Sequence, residues 1–165
     1  MEYLVEATTP NVSKFLDSLM PSMIEQLGLT RSRRAVLVKV TDEIEDDMQG
    51  ATINIEIADC YLVLIRQPKR ITKASLLEMG TTLAHEMVHV RQLAKGQVKF
   101  LPNQARIWMG KRYNKRTHYL DQPWELDAFA RQEILFRKAI ELWFTYCLLL
   151  QWYKVSLTRL SVHMA

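Results

Sequence analysis

The segment from residue 72 to residue 95 restricts the fold most, because its pattern predicts one long helix. Thr72 is a residue type that caps helix starts, and Gly96 stands where a glycine commonly ends a helix. Apolar residues recur with helical spacing on one side: Leu76, Gly80, Leu83, Met87, Val90 and Ala94. The opposite side carries a polar stripe: Glu78, Thr82, His85, His89 and Gln92. We therefore predict a helix that packs on a sheet and presents two histidines on its other side.

Residues 85–89 of this helix read His-Glu-Met-Val-His, an HExxH pattern. Histidines four residues apart lie on the same face of a helix, ~6 Å apart along its axis, so both imidazoles can reach one metal ion. Glu86 lies beside them, where it can reach a metal-bound water rather than the metal. The pattern predicts a Zn²⁺ site with His85 and His89 as ligands and Glu86 as general base.

A catalytic zinc takes a third protein ligand and keeps one position open for water. The downstream candidates are His118, Asp121, Glu125, Asp127, Glu133 and His163. We favour Glu125, because it follows Pro123 in the first turn of the last predicted helix and so has a fixed position. Its alternative role is to complement the positive helix N-terminus. His118 is the main alternative ligand, and Asp127 is expected to hold a histidine N–H from outside the metal.

The remaining periodicities predict two further helices and a small sheet. The predicted elements are a helix over 10–27, strands over 35–40, 51–57 and 60–65, a hairpin-like region over 97–120 with a turn at Gly110, and a helix from Pro123 to about Tyr153. We therefore predict an α+β fold: a small, mostly antiparallel sheet packed on the HExxH helix, with additional N- and C-terminal helices. A length of 165 residues predicts a single domain, 1–165.

Composition excludes several other classes of protein. Hydrophobic residues make up 48% and charged residues 24% of the chain, unlike a disordered protein. Two cysteines cannot form a disulfide framework. Charges interrupt the apolar run over 134–153, so we expect no membrane span, and no signal peptide is evident at the N-terminus. These features predict a cytoplasmic protein.

Positive charge is concentrated in one segment. There is no acidic residue between Glu86 and Asp121, and the segment 91–116 carries 8 of the 22 basic residues. Such runs are usually solvated surface, but a basic wall beside a site would attract acidic protein or nucleic acid. Aromatic residues interleave with the charges: Trp108, Tyr113 and Tyr119. They can stack on bases, although we favour packing against the helix, and Tyr113 or Tyr119 can also donate a hydrogen bond to an oxyanion.

Four motifs in residues 80–135 occur together: HEMVHVRQ starting at His85, the Trp108-x-Gly110-x-x-Tyr113 spacing, Tyr119, and PWELDA over residues 123–128. In this combination the chain resembles small phage and bacterial zinc metallopeptidase-like proteins, minimal gluzincins that are loosely similar to SprT-like domains. The resemblance implies that His85, His89 and Glu125 bind zinc and that Glu86 is the general base. One departure is Asp127, where a longer Glu is expected.

These observations predict a zinc-dependent metallopeptidase, an endopeptidase acting in the cytoplasm, or in the host cytoplasm if the chain is phage-encoded. Its protein or peptide substrate would pair with the edge of the sheet at the strand over 51–57. The alternative is a zinc-stabilised module that binds nucleic acid or an acidic protein through residues 91–116 without significant hydrolysis. The intact Glu86 favours the enzyme, because a purely structural zinc site does not need it.

Overall fold

The computed structural model describes residues 1–45, 47–101, 105–114 and 116–162, with side chains described as far as residue 145. The helices are α1 (Pro10–Gln26), α2 (Lys73–Ala94) and α3 (Pro123–Val162). The strands are β1 (Tyr3–Glu6), β2 (Ala35–Thr41), β3 (Gly50–Ile55), β4 (Cys60–Arg66), β5 (Val98–Phe100), β6 (Arg106–Trp108) and β7 (Lys111–Tyr113). A single 3-10 turn, Tyr119–Asp121, precedes α3.

The larger sheet has four strands in the order β1-β2-β4-β3. Strands β1 and β4 run parallel to β2, and β3 pairs antiparallel with β4 at the edge. Every second residue of β2 and β4 is buried and the residues between them are half-buried. This alternation is expected of strands with one face against helices, and the buried face forms the core together with α1, α2 and α3.

The prediction of a mostly antiparallel sheet was wrong, although the α+β class holds. Only β3 runs antiparallel to its neighbour in the four-stranded sheet. The four-residue strand β1 was not predicted, so the parallel β1–α1–β2 unit was missed. The strands β2, β3 and β4 follow one another in the chain, but β4 lies between the other two and pairs with β2 along its whole length. Its apolar sequence fits this central position, because central strands have neighbours on both sides.

The predicted start and end of α2 are confirmed. The Thr72 hydroxyl accepts a hydrogen bond from the Ser75 amide, and the Ser75 hydroxyl accepts one from the Thr72 amide, which forms a capping box. Gly96 follows the helix with a φ of 63°, a backbone conformation that glycine adopts without strain. The local sequence therefore determines where α2 begins and ends. The helical period then sets which of its residues face neighbouring elements.

Helix α2 lies between the larger sheet and α3, and it contacts β3, β4, α1 and α3. A Cβ added to Gly80 would lie 2.3 Å from Cε2 of Phe136, so α2 and α3 approach closely at this glycine. The C-terminal part of the polar stripe is consequently buried, with His85 8% and Gln92 0% exposed, and the adjacent Glu86 is 5% exposed, whereas Glu78 at the start of the stripe is exposed. Its histidines therefore face a site between elements rather than open solvent.

The segment after α2 forms a second, three-stranded antiparallel sheet in the order β5-β6-β7. Gly110 has a φ of 85° and lies in the turn between β6 and β7, which confirms the predicted hairpin turn. Within the part of the chain that the structure describes, no helix is long and apolar enough to span a membrane.

Candidate metal centre

Three side-chain atoms from α2 and α3 converge on one point. The Nε2 atoms of His85 and His89 and the Oε2 atom of Glu125 are 3.2 Å apart in each of the three pairs. Tetrahedral zinc ligands with bonds of ~2.0 Å lie about 3.3 Å from one another. The triangle thus has the size of one face of a zinc tetrahedron. Among the described residues, these three side chains form the group of His, Cys, Asp and Glu that is close enough to hold a metal ion.

The two helices position these atoms through their own periodicity. His85 and His89 lie one turn apart on α2, and Glu125 lies in the first turn of α3, which begins at Pro123. One turn further along α3, Phe129 packs edge-on against the His85 ring with a centroid distance of 4.8 Å. Gln132 follows on the same face and reaches His85. A single stripe of α3 therefore supplies a carboxylate, an apolar wall and a hydrogen-bond partner.

Gln92 determines which ring nitrogen of His89 carries the proton. Its Nε2 donates to the backbone oxygen of Trp124 at 2.9 Å and to Oδ2 of Asp127 at 3.1 Å, and both of these are acceptors. Its Oε1 therefore faces Nδ1 of His89, at 2.8 Å, and accepts that proton. The neutral imidazole then presents the lone pair of Nε2 to the centre of the triangle.

His85 has the same arrangement. Its Nδ1 lies 2.7 Å from Oε1 of Gln132, and in the tautomer that donates this proton Nε2 presents a lone pair. Two lone pairs and a carboxylate oxygen thus face one another at 3.2 Å. Groups that only accept repel each other at this distance unless a cation or a proton lies between them. The donor set, two imidazoles and one carboxylate, is one that zinc takes in catalytic sites.

A proton can take the place of the cation, because a hydrogen bond between either histidine and Glu125 needs an N–H at Nε2. Burial raises the pKa of Glu125, but hydrogen bonds with His85 and His89 outweigh it and hold that pKa well below its usual range. Burial lowers the pKa of His89, but the hydrogen bond and charge of Glu125 outweigh it and leave that pKa raised. The Tyr119 hydroxyl donates to Oε2 of Glu125 at 2.9 Å. Burial and the charge of Glu125 raise the pKa of Tyr119, so it stays a donor.

Glu86 lies beside the triangle without belonging to it. The Thr52 hydroxyl, on edge strand β3, donates to Oε2 of Glu86 at 2.7 Å. A Cβ on Gly50 would lie 2.7 Å from Oε1 of Glu86, so β3 leaves room for this carboxylate only because residue 50 is glycine. Burial raises the pKa of Glu86, partly offset by the neighbouring His89, the Thr52 hydroxyl and His85.

The triangle and Glu86 open onto a cleft of about 140 Å³ that is open to solvent. Its walls come from β3, α2, the β5–β6 strands and the start of α3. The lining includes Thr52, Phe100, Arg106, Tyr119 and Trp124. An extended chain can thus reach the candidate ligands and the candidate base from solvent.

The other predicted ligands lie elsewhere. His118, Asp121 and Glu133 are exposed and are not part of the triangle, and His163 lies outside the described residues. The expectation that Asp127 holds a histidine N–H was wrong, because Gln92 lies between Asp127 and His89.

The two tyrosines proposed as oxyanion donors are placed differently. Tyr119 lines the cleft. The Tyr113 ring packs edge-on against Trp124 with a centroid distance of 5.7 Å, and Tyr113 is not part of the cleft lining. Tyr113 thus packs against a helix, as expected of the hairpin aromatics, but the helix is α3 rather than the HExxH helix α2.

The sequence did not single out three residues of the site: Gly50, Thr52 and Gln132. Gln132 lies seven residues after Glu125, a spacing that places both residues on the same face of a helix. This spacing could have identified Gln132 as a residue near the metal ligands. Thr52 belongs to the polar face of the predicted strand over 51–57, but nothing in the strand distinguished it from Asn54.

The three strands of the smaller sheet, β5, β6 and β7, lie within the basic segment 91–116. Lys99, Ile107 and Arg112 are cross-strand neighbours and so share one face, whereas Phe100, Arg106 and Tyr113 share the other. Lys115 lies outside the described residues. Binding of nucleic acid by this segment stays a prediction.

The chain matches no protein-family model, no curated protein and no solved structure. Membership of a zinc metallopeptidase-like family therefore stays a prediction, and the geometry of the site carries the functional argument.

Proposed function

We propose that this protein is a zinc-dependent metallopeptidase that cleaves peptide bonds within protein or peptide substrates. The observation that carries the proposal is the triangle of His85, His89 and Glu125 with the buried carboxylate of Glu86 beside it, all lining one cleft. Zn²⁺ held by these ligands lowers the pKa of a coordinated water toward ~7 and polarises a substrate carbonyl. A cytoplasmic setting is part of the proposal, because two cysteines do not form a disulfide framework.

Glu86 is the proposed general base. Its carboxylate takes the proton of the attacking water and passes it to the leaving amine. Thr52 binds one carboxylate oxygen and thereby restrains the direction of the other. The raised pKa of Glu86 makes it a stronger base than an exposed glutamate.

Two further parts of the cleft suit a peptide substrate. The Tyr119 hydroxyl lies next to the candidate ligand Glu125, where it can donate to the charge that develops on a carbonyl oxygen. Strand β3 is at the end of its sheet, so one side of its backbone is available to pair with an extended chain. We propose that the substrate binds along β3 and passes over Glu86.

Replacing Glu86 with Gln tests the mechanism, because the amide keeps the size of the side chain but cannot accept the proton. We expect Glu86→Gln to keep stoichiometric zinc and its melting temperature, and to lose hydrolysis of a broad peptide library by at least ~10²-fold. Glu78→Gln makes the same change at an exposed position of the same helix and is expected to cleave like wild type.

Two results would change the conclusion. If Glu86→Gln cleaves as fast as wild type, Glu86 is not the base and the mechanism is wrong. If zinc-loaded wild type cleaves nothing in the library, the zinc-stabilised binding module becomes the better interpretation.

A further inference from the structure

Arg106, on β6, is a cation in the wall of the cleft. Its guanidinium lies over the Trp124 ring at 4.8 Å and over the Phe100 ring at 5.0 Å, so two aromatic side chains restrict its orientation. Its Nη1 lies 3.9 Å from Oε1 of Glu125, the oxygen on the far side of the carboxylate from the histidines. Its side chain is 35% exposed, so it remains accessible from the cleft.

The guanidinium forms a long ion pair with Glu125, but its N–H donors have no hydrogen-bond acceptor among the described residues. A separation of 3.9 Å is too long for a hydrogen bond, and no other described residue accepts one from Arg106. An arginine has five N–H donors in a planar fork that matches a carboxylate. On the same wall, the indole N–H of Trp124 is also buried without a partner among the described residues. The wall therefore offers donors without acceptors.

The charge of the cleft favours an anionic ligand once the metal is bound. Among the described lining residues, Glu86 and Glu125 are the carboxylates and Arg106 is the cation. The two positive charges of a bound Zn²⁺ would change the formal charge of the lining from −1 to +1. The negative charge of Glu125 would then be neutralised mainly by the metal rather than by Arg106. Lys111 adds to the attraction, because it lies on the same face of the smaller sheet as Arg106.

We propose that Arg106 is the specificity-determining residue of this site and selects peptides that carry a carboxylate next to the scissile bond. This inference rests on the proposed function. The carboxylate belongs to an acidic side chain or to the C-terminus of a short substrate. Arg106 lies at most about 8 Å from a metal held at ~2 Å by Oε2 of Glu125, and an extended chain advances ~3.3 Å per residue. The selected carboxylate is therefore close to the scissile bond, on the first or second residue from it.

Peptide hydroxamates test this without requiring turnover, because the hydroxamate chelates the metal. The three probes share the hydroxamate group and differ in the single residue that follows it. This residue is Gln with an amidated C-terminus, Glu with an amidated C-terminus, or Gln with a free C-terminal carboxylate. We expect zinc-loaded wild type to bind at least one acidic probe about tenfold or more tightly than the neutral one in calorimetry. The acidic probe that is preferred identifies the source of the carboxylate.

Variants assign the preference to Arg106. Arg106→Gln is expected to keep its zinc and its affinity for the neutral probe and to lose the preference for acid. Arg106→Lys keeps the charge but lacks the fork, so its preference falls several-fold. Arg137→Gln makes the same charge change at an exposed position of α3 and keeps the full preference.

The outcomes separate the two proposals. If wild type binds all three probes equally, or if Arg106→Gln or Arg106→Lys keeps an undiminished preference, the role of Arg106 is wrong while the metal site stands. If zinc-loaded wild type binds none of the probes, the metallopeptidase proposal fails and the specificity inference fails with it.

Discussion

Oε1 of Gln92 lies 2.8 Å from Nδ1 of His89, although the two side chains were expected only to share a polar stripe on one helix. The amide spans the contact between α2 and α3, because its nitrogen donates to Trp124 and Asp127 on α3. The orientation of a candidate ligand on one helix thus depends on the packing of the other. This link is open to direct test.

Replacing Gln92 with Leu removes the acceptor for the His89 proton and keeps a buried side chain of similar size. We expect zinc affinity to fall about 10–100-fold, as is usual when a hydrogen-bond partner of a metal ligand is lost. Competition with a chelating dye measures the affinity. Gln26→Leu, on the exposed side of α1, is the control and is expected to bind zinc like wild type. An unchanged affinity in Gln92→Leu would show that Gln92 does not orient His89.

The zinc content of two variants distinguishes Glu125 from His118 as the third metal ligand. We expect Glu125→Ala to lose most of its bound zinc, because two histidines alone bind weakly, and His118→Ala to keep it. His85→Ala and His89→Ala should each abolish stoichiometric zinc. Metal analysis of the purified variants gives the ratio of zinc to protein. Zinc retained by Glu125→Ala and lost by His118→Ala would reverse the assignment.

Zinc binding should weaken as the pH falls. In the metal-free protein the pKa of His89 is raised, mainly by Glu125 against the effect of burial. Protonated His89 therefore stabilises the metal-free fold below pH ~6.5, and this contribution is lost as the pH rises through the folded pKa. Zinc needs neutral His89, so protons compete with it. The rise in melting temperature on adding zinc should be larger at pH 8 than at pH 5.5. A rise that is equal at both values would contradict the role of His89 as a ligand.

Gly80→Ala should destabilise the protein by about 1–3 kcal/mol, because the added methyl group overlaps the Phe136 ring. Urea unfolding measures the loss of stability. The same substitution in a Phe136→Leu background should cost less, since the smaller side chain can give way. Equal costs in both backgrounds would show that the contact of Gly80 with Phe136 does not limit the approach of α2 and α3.

The parts of the structure that were predicted correctly depend on local chemistry. Thr72 and Gly96 define the bounds of α2, Gly110 defines a turn, and Pro123 starts α3. Each acts within a few residues through capping or backbone conformation, so a single sequence contains the necessary information.

The parts that were missed depend on packing between distant segments. The apolar sequence of β4 is compatible with a central position, but it does not specify that β4 pairs parallel with β2 rather than following β3 at the edge of the sheet. The position of Gln92 between Asp127 and His89 depends on how α2 and α3 pack. The contact of Thr52 with Glu86 likewise depends on α2 crossing β3. The HExxH spacing predicts where two ligands lie on a helix, whereas the groups that orient them come from other elements.

The triangle joins residues that are distant in the chain. His89 and Glu125 are 36 residues apart, and the whole β5–β7 sheet lies between them. A bound ion would therefore act as a cross-link that closes a loop, and a cross-link over a loop of this length restricts the unfolded chain by about 4 kcal/mol on a chain-entropy estimate. The closed loop carries Arg106 and most of the basic segment. Removing the metal would take away this cross-link while the packing of α2 on α3 remains, so amide exchange in β5, β6 and β7 should be faster in the metal-free protein.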